Sequence, residues 1–206
     1  MRLAFFYTLF FIVFGQTVFA QKFSFTPEGM VGNRSYFYTH TFNYQISDKV
    51  KLQNLILFDT EYDNDKHNIL FMRNTLVYQF SKYFSLNTSI GIKNPGKFAS
   101  MLVQYQVVGK EMLFSYSVGT TYQAGFTLEQ SILFEYTPSI TDKVKGLFRV
   151  SAVGNVNKEE YTRGFQHIRL GVKYEQYSFG LATNLEQFNN SWKHLENYGV
   201  FAKVNL

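Results

Sequence analysis

From residue 21 onward the chain alternates between apolar and polar side chains with a period of two, the mark of strands that present two different faces. Between Phe84 and Ile92 the apolar set is Phe84, Leu86, Ile90 and Ile92. Met112, Phe114, Tyr116 and Val118 repeat it, and the C-terminus does so through Tyr198, Val200, Ala202, Val204 and Leu206. Extended over the chain, this reading predicts eleven strands at about 34–45, 50–62, 69–80, 84–93, 98–108, 112–123, 126–137, 144–154, 165–175, 177–187 and 198–206. Most are about nine to twelve residues long, which suits a tilted membrane strand, whereas soluble strands average about five or six. No stretch after Gln21 approaches the roughly 18 apolar residues of a membrane helix.

A soluble sandwich also alternates, so the position of charge has to separate the two architectures. The apolar face of these strands carries no Asp, Glu, Lys or Arg, and His40 is its one titratable group besides tyrosines. The opposite face holds Lys51, Asp59, Glu61, Arg73, Glu129, Glu135, Lys145, Arg149, Arg169, Lys173, Glu175, Glu186 and Lys203. Aromatic residues crowd the apolar face and gather at strand ends, among them Phe42, Tyr44, Tyr78, Phe80, Tyr83, Phe134, Tyr136, Tyr174 and Tyr177. Rings at the edges of an apolar band form the interfacial girdle of membrane barrels. The expected fold is therefore all-β, a transmembrane antiparallel up-and-down barrel, with the sandwich as its competitor.

The connections suggest an orientation. Short links join 45 to 50, 80 to 84, 108 to 112 and 175 to 177, and a medium one passes through Pro138. Longer polar links cover 63–68, 155–164 and 188–197, together with 93–97. Outer-membrane barrels keep short turns in the periplasm and long loops outside. On that rule the last strand runs inward, and eleven strands leave residue 34 on the wrong side. A further strand at Lys22–Thr26, ending before Pro27, gives a barrel of twelve strands, with ten or fourteen as alternatives. Register predicts Val107 opposite Met112, and Glu135 opposite Lys145 on the polar face.

Residues 1–20 differ from everything that follows. Arg2 precedes an apolar run from Leu3 to Phe14 broken only at Thr8, and Val18-Phe19-Ala20 offers a cleavage site before Gln21. That is the pattern of a cleavable signal peptide, too short to span as a helix. The expected organisation is a signal peptide at 1–20 and one barrel domain at 21–206. Signal peptide, strand rhythm and the alternating Tyr198–Leu206 segment resemble the porin-like outer-membrane β-barrel proteins of Gram-negative bacteria. The resemblance implies export to the outer membrane, contact with its lipids, and recognition of the C-terminal strand by the barrel-assembly machinery. That recognition segment commonly ends in Phe; this chain ends in Leu206. The resemblance is architectural and carries over no catalytic residue.

Composition removes several chemistries. Of 206 residues 19% are aromatic, with 23 Phe and 15 Tyr, and there is no Cys, so neither disulfides nor thiolate metal sites can form. The net charge of +5 comes from scattered Lys and Arg without a basic run, which argues against nucleic acid. His40, His67, His167 and His194 lack metal-ligand spacing, and no cofactor is expected. A membrane-embedded lipid hydrolase needs Ser and His together where lipid reaches, and the outward face offers His40 with no Ser. His167 would lie diagonal to Glu186 inside.

The lumen then carries the functional expectation. Arg149 and Arg169 should meet at similar depth on neighbouring strands, with Glu129 as their screening carboxylate. Together with Glu135, Lys145, Arg73 and Lys173 they are the candidate lining of a narrow, mildly basic constriction, since rings of Arg or Lys favour anions. The function expected is a passive channel for small solutes. A closed barrel serving as a scaffold, or in assembly or secretion, is the alternative, and the hydrolase stands third. Barrels of about 8 strands are filled by side chains and those of about 16 to 18 hold water, so twelve decides neither way.

Overall fold

The computed structural model describes residues 23–94, 96–159, 161–188 and 194–206. The expected signal peptide and the chain start at Gln21 lie outside them. The described residues form twelve antiparallel strands closed into one barrel, each strand hydrogen-bonded to its sequence neighbours and β1 closing on β12. The strands are β1 (Phe23–Gly32), β2 (Ser35–Ser47), β3 (Val50–Glu61), β4 (Ile69–Gln79), β5 (Phe84–Lys93) and β6 (Gly96–Val108). The circuit continues with β7 (Met112–Tyr122), β8 (Phe126–Tyr136), β9 (Val144–Val156), β10 (Tyr161–Tyr174), β11 (Tyr177–Phe188) and β12 (His194–Val204). An even number of strands puts both chain ends at one rim, here called the terminal end, and the opposite rim is the far end.

Alternation sorts the side chains as the sequence pattern requires. Ile90, Leu181 and Leu170 point outward and are 65, 63 and 57% exposed, an apolar belt that water would reject and hydrocarbon would accept. Outward aromatic residues mark the edges of that belt. Tyr83, Phe84 and Tyr105 pack together at the terminal end, and Tyr36 with Tyr62 and Tyr122 with Phe126 do so at the far end.

Four boundaries move. Strand β1 does not stop before Pro27 but continues to Gly32. Phe25 and Leu206 exchange two backbone hydrogen bonds of 2.9 Å, so by alternation the missing Pro27 N–H also faces β12. The β1–β12 ladder resumes at Glu28 opposite Lys203. The proline thus costs one bond at the closing seam and does not end the strand. Strands β6, β10 and β12 also begin earlier than expected, at Gly96, Tyr161 and His194. Their far-end segments carry polar inward residues such as Arg163 and Asn197, so no apolar alternation announced them.

Link lengths do not divide cleanly between the rims. Residues 33–34 and 123–125 make tight connections at the far end, while the terminal end carries 137–143. Two expected pairings also shift. Val107 lies opposite Phe114, because the turn closes through the Gly109 N–H on the Met112 carbonyl at 2.7 Å. Glu135 lies opposite Arg149, whereas Lys145 lies opposite Lys173 and bridges to Ser139.

The barrel interior is packed. Met30, Phe37, Leu57, Ile69, Leu147, Ala182 and Phe201 form one apolar cluster, each 7% exposed or less, with Phe71 against it. Its members come from β1–β4, β9, β11 and β12. The inward faces of β5, β6 and β7 are instead rich in small residues, including Ser89, Ser100, Gly119 and Thr121.

Candidate functional site: an ion-paired lumen

Arg149 and Arg169 face each other directly in the β9–β10 register. Like charges at that spacing repel unless a counter-charge joins them. The counter-charge is Glu28, reaching across the lumen from β1. It accepts from Arg149 Nη2, and from Arg169 Nε at 2.7 Å. Glu129, the screening partner expected from the sequence, lies opposite Asn155, six residues from Arg149 along β9. Glu28 lay beyond the expected end of its strand at Pro27, although Ser24, Thr26, Glu28 and Met30 do continue one face.

Arg169 is fixed. Its Nη1 donates to the Ile168 carbonyl at 3.0 Å, the Thr183 carbonyl at 3.3 Å and Asn184 Oδ1 at 2.8 Å. Its guanidinium lies 5.7 Å from the Phe37 ring centre and 5.6 Å from that of Phe201. The residue is fully buried, so it belongs to the packed interior and does not line water; Arg149 keeps 13% of its side chain accessible.

A second bridge crosses the lumen from β4 to β8. Arg73 Nη2 meets Glu129 Oε1 at 2.8 Å, and Thr121 donates to Glu129 Oε2 at 2.6 Å. The Arg73 guanidinium sits over the rings of Phe71 and Phe98, 5.2 and 5.3 Å from their centres. Strands β4 and β8 are four apart in the circuit, as are β9 and β1. Each ion pair is therefore a chord spanning a third of the barrel. The small residues of β5–β7 leave room for the first chord, and Ala182 and Gly199, in the same lattice row as Arg169, leave room for the second.

The far end adds two pairs that sequence reading left out. Arg34 binds Glu61 and, at 2.6 Å, Asp59; Arg163 meets Glu186 at 3.2 Å. Arg34 opens the expected strand 34–45 but stands in the β1–β2 link, and Arg163 precedes the expected start of its strand, so neither was counted as inward. The terminal end is basic: Lys145 and Lys173 are cross-strand neighbours, Ser178 separates Lys173 from Lys203, and Lys51 stands on β3. Glu175 sits in the β10–β11 turn at φ 51°, not in the lumen. Of the expected lining set, then, Arg149 and Arg169 come together, Arg73 pairs with Glu129, Glu135 stands opposite Arg149, and Lys145 and Lys173 sit apart from both chords.

Among the described residues, neither His40 nor His167 is joined to a serine. His40 Nδ1 lies 3.2 Å from the Tyr38 hydroxyl on the outer face. His167 is diagonal to Glu186, as its register requires, but packs between the rings of Phe37 and Phe165.

No protein-family model matches the sequence, and a search of curated proteins finds no match. Solved structures do resemble the fold. The NanC porin superposes with a TM-score of 0.54 at 8% identity, covering 88% of this chain and 98% of its own. The KdgM porin gives 0.53 at 8% identity with the same coverage, and its complex with disordered oligogalacturonate gives 0.52. At such identity the likeness establishes architecture alone. This chain has the architecture of the porin-like outer-membrane β-barrels.

Proposed function

We propose that the protein is a narrow outer-membrane channel for small solutes, with a preference for anions. The observation that carries the reading is the material of the closure. Among the described residues no helix or loop is folded into the lumen; what crosses it is side chains, the Glu28–Arg149–Arg169 and Arg73–Glu129 chords. Side-chain rotamers exchange far faster than backbone rearranges, so such a closure still admits brief, narrow openings. Basic residues outnumber acidic ones along the inner wall, with Lys51, Lys145, Lys173 and Lys203 at the terminal mouth, and such walls favour anions.

In a planar bilayer under a KCl gradient the reversal potential should lie on the anion side; a cation-side value would contradict the reading. The terminal end is read as periplasmic, as in outer-membrane barrels generally. An epitope inserted at Asp48 should then be labelled only after permeabilisation, and labelling on intact cells would invert the orientation. A second reading, a permanently closed barrel acting as a scaffold, draws on the apolar cluster of Met30, Phe37, Leu57 and Phe201, which has no place in a water-filled pore.

A further inference from the structure

The sector of the lumen under the Arg73–Glu129 chord differs from the rest. Thr75, Ser89, Ser100 and Thr121 form one lattice row across β4–β7, a belt of hydroxyls on four adjacent strands. Three have partners: Thr75 and Ser89 bond each other at 2.9 Å, and Thr121 holds Glu129. Ser100, 5% exposed, has no hydrogen-bond partner for its Oγ, and neither does Arg73 for its Nε. Two buried polar groups left open on one wall are costly unless something occupies the space they face.

The charge of the same pocket points to what that is. Lys93, 8% exposed, stacks its ammonium 5.1 Å from the Phe98 ring centre, on the ring that also carries Arg73. No salt bridge to Lys93 occurs among the described residues. The charged groups that act on it are Glu129, Arg163 and Arg73, and Glu129 already balances Arg73. Arg163 is engaged with Glu186. One positive charge therefore remains without a counter-charge on the ring that also carries Arg73, and Ser100 follows Phe98 on the same face of β6.

We propose that the slot bounded by Lys93, Arg73 Nε and Ser100 Oγ is a binding site for a small monovalent anion. It is the point at which the proposed channel selects its solute, and the path runs along the β5–β7 wall. The inference rests on the channel reading only for its role in selection; occupancy of the site does not depend on conduction. The ligand class follows from the three groups: one cation and two unfilled hydrogen-bonding groups suit a single small anion such as chloride, nitrate or formate.

Two measurements separate the site from the channel. Broadening of the chloride-35 NMR line by the refolded barrel in neutral detergent reports binding. It should fall by about half in Lys93→Gln and stay at the wild-type value in Lys110→Gln, an exposed turn lysine of equal charge. Equal loss in both variants, or in neither, overturns the site. Because Lys93→Gln also removes a ring contact, Ser100→Met serves as the second variant. It fills the slot without changing charge and should abolish the same share of broadening while the barrel keeps its heat-modifiable folded band. In bilayers, Ser100→Met should lower chloride current severalfold, whereas Phe201→Leu, which opens space on β12, half the circuit away from β6, should leave it unchanged. Current that rises in Phe201→Leu and is untouched in Ser100→Met overturns the site as the selecting point but leaves the channel. Broadening that depends on Lys93 in a barrel that never conducts upholds the site and removes the channel.

Discussion

Glu28 joins two arginines in the lumen, and replacing it with glutamine tests the packing directly. The carboxylate is 4% exposed and compensates two guanidiniums that the β9–β10 register places side by side. Removing one partner of a buried ion pair costs about 3 to 5 kcal/mol, because the remaining charge stays buried. The glutamine oxygen still accepts one hydrogen bond, and Arg149 retains some contact with water, so the expected cost of Glu28→Gln lies near the lower limit, about 3 kcal/mol. With a urea dependence of about 2 kcal/mol per molar, the unfolding midpoint should fall by about 1.5 M. The assay is urea unfolding of the refolded barrel in lipid vesicles, followed by the loss of its heat-modifiable gel band. Glu28→Gln combined with Arg149→Met should regain about half of the loss, since the surplus charge is then gone. A midpoint shift under about 0.5 M for the single change would refute the claim that Glu28 compensates both arginines.

Three further outcomes are expected. Ile132→Arg places a charge at mid-strand on the outer face and should cost about 2 to 4 kcal/mol, while Ser131→Arg, one residue along and inside, should cost well under half of that; equal costs would reverse the faces. Ala124 holds φ 58° in the β7–β8 turn, where an L residue is strained, so Ala124→Gly should stabilise the barrel by about 1 kcal/mol in the same urea assay, and no gain would contradict the turn geometry. The Ser139 backbone N–H donates to Glu111 at 3.1 Å and, with the Ser139 hydroxyl, holds the Glu111 carboxyl below its ordinary pKa of 4.5. A depressed folded pKa means that this tie between two terminal-end turns is intact at neutral pH and is lost as pH falls through the folded value, below the ordinary range. Protection of the Ser139 amide against exchange should drop there in wild type and be absent at all pH values in Glu111→Ala.

How far the sequence speaks depends on which force places a residue. The fold was legible because a membrane barrel must keep charge off one face of every strand, and that rule leaves a mark at each alternate position from Phe84 to Leu206. The meeting of Arg149 with Arg169 was legible too, because it depends only on counting from one hairpin. Their counter-ion was not. Glu28 reaches Arg149 from four strands away and Arg169 from three, and neither its distance in sequence nor its neighbours encode a chord through the lumen. Pro27 hid it further, since the usual rule ends a strand there, and only closure of β1 on β12 shows that the lost donor faces the seam. Arg163 was missed for a related reason: it stands where β10 runs on past its apolar alternation, whereas Lys93 closes the expected strand 84–93 and was passed over because a link was taken to begin there. The apolar cluster could not be foreseen from composition either, because Phe37, Leu57 and Phe201 occupy positions that the rule for membrane barrels assigns to polar residues.

The central claim is that side chains alone narrow this lumen and that small solutes still pass. Single-channel recording of the wild-type barrel, refolded into planar bilayers with its folded fraction confirmed by gel mobility, tests it most directly. The account predicts small, brief, discrete steps in KCl, carried mainly by chloride. A folded, inserted barrel that stays silent across the voltage range would contradict it and leave the closed scaffold standing.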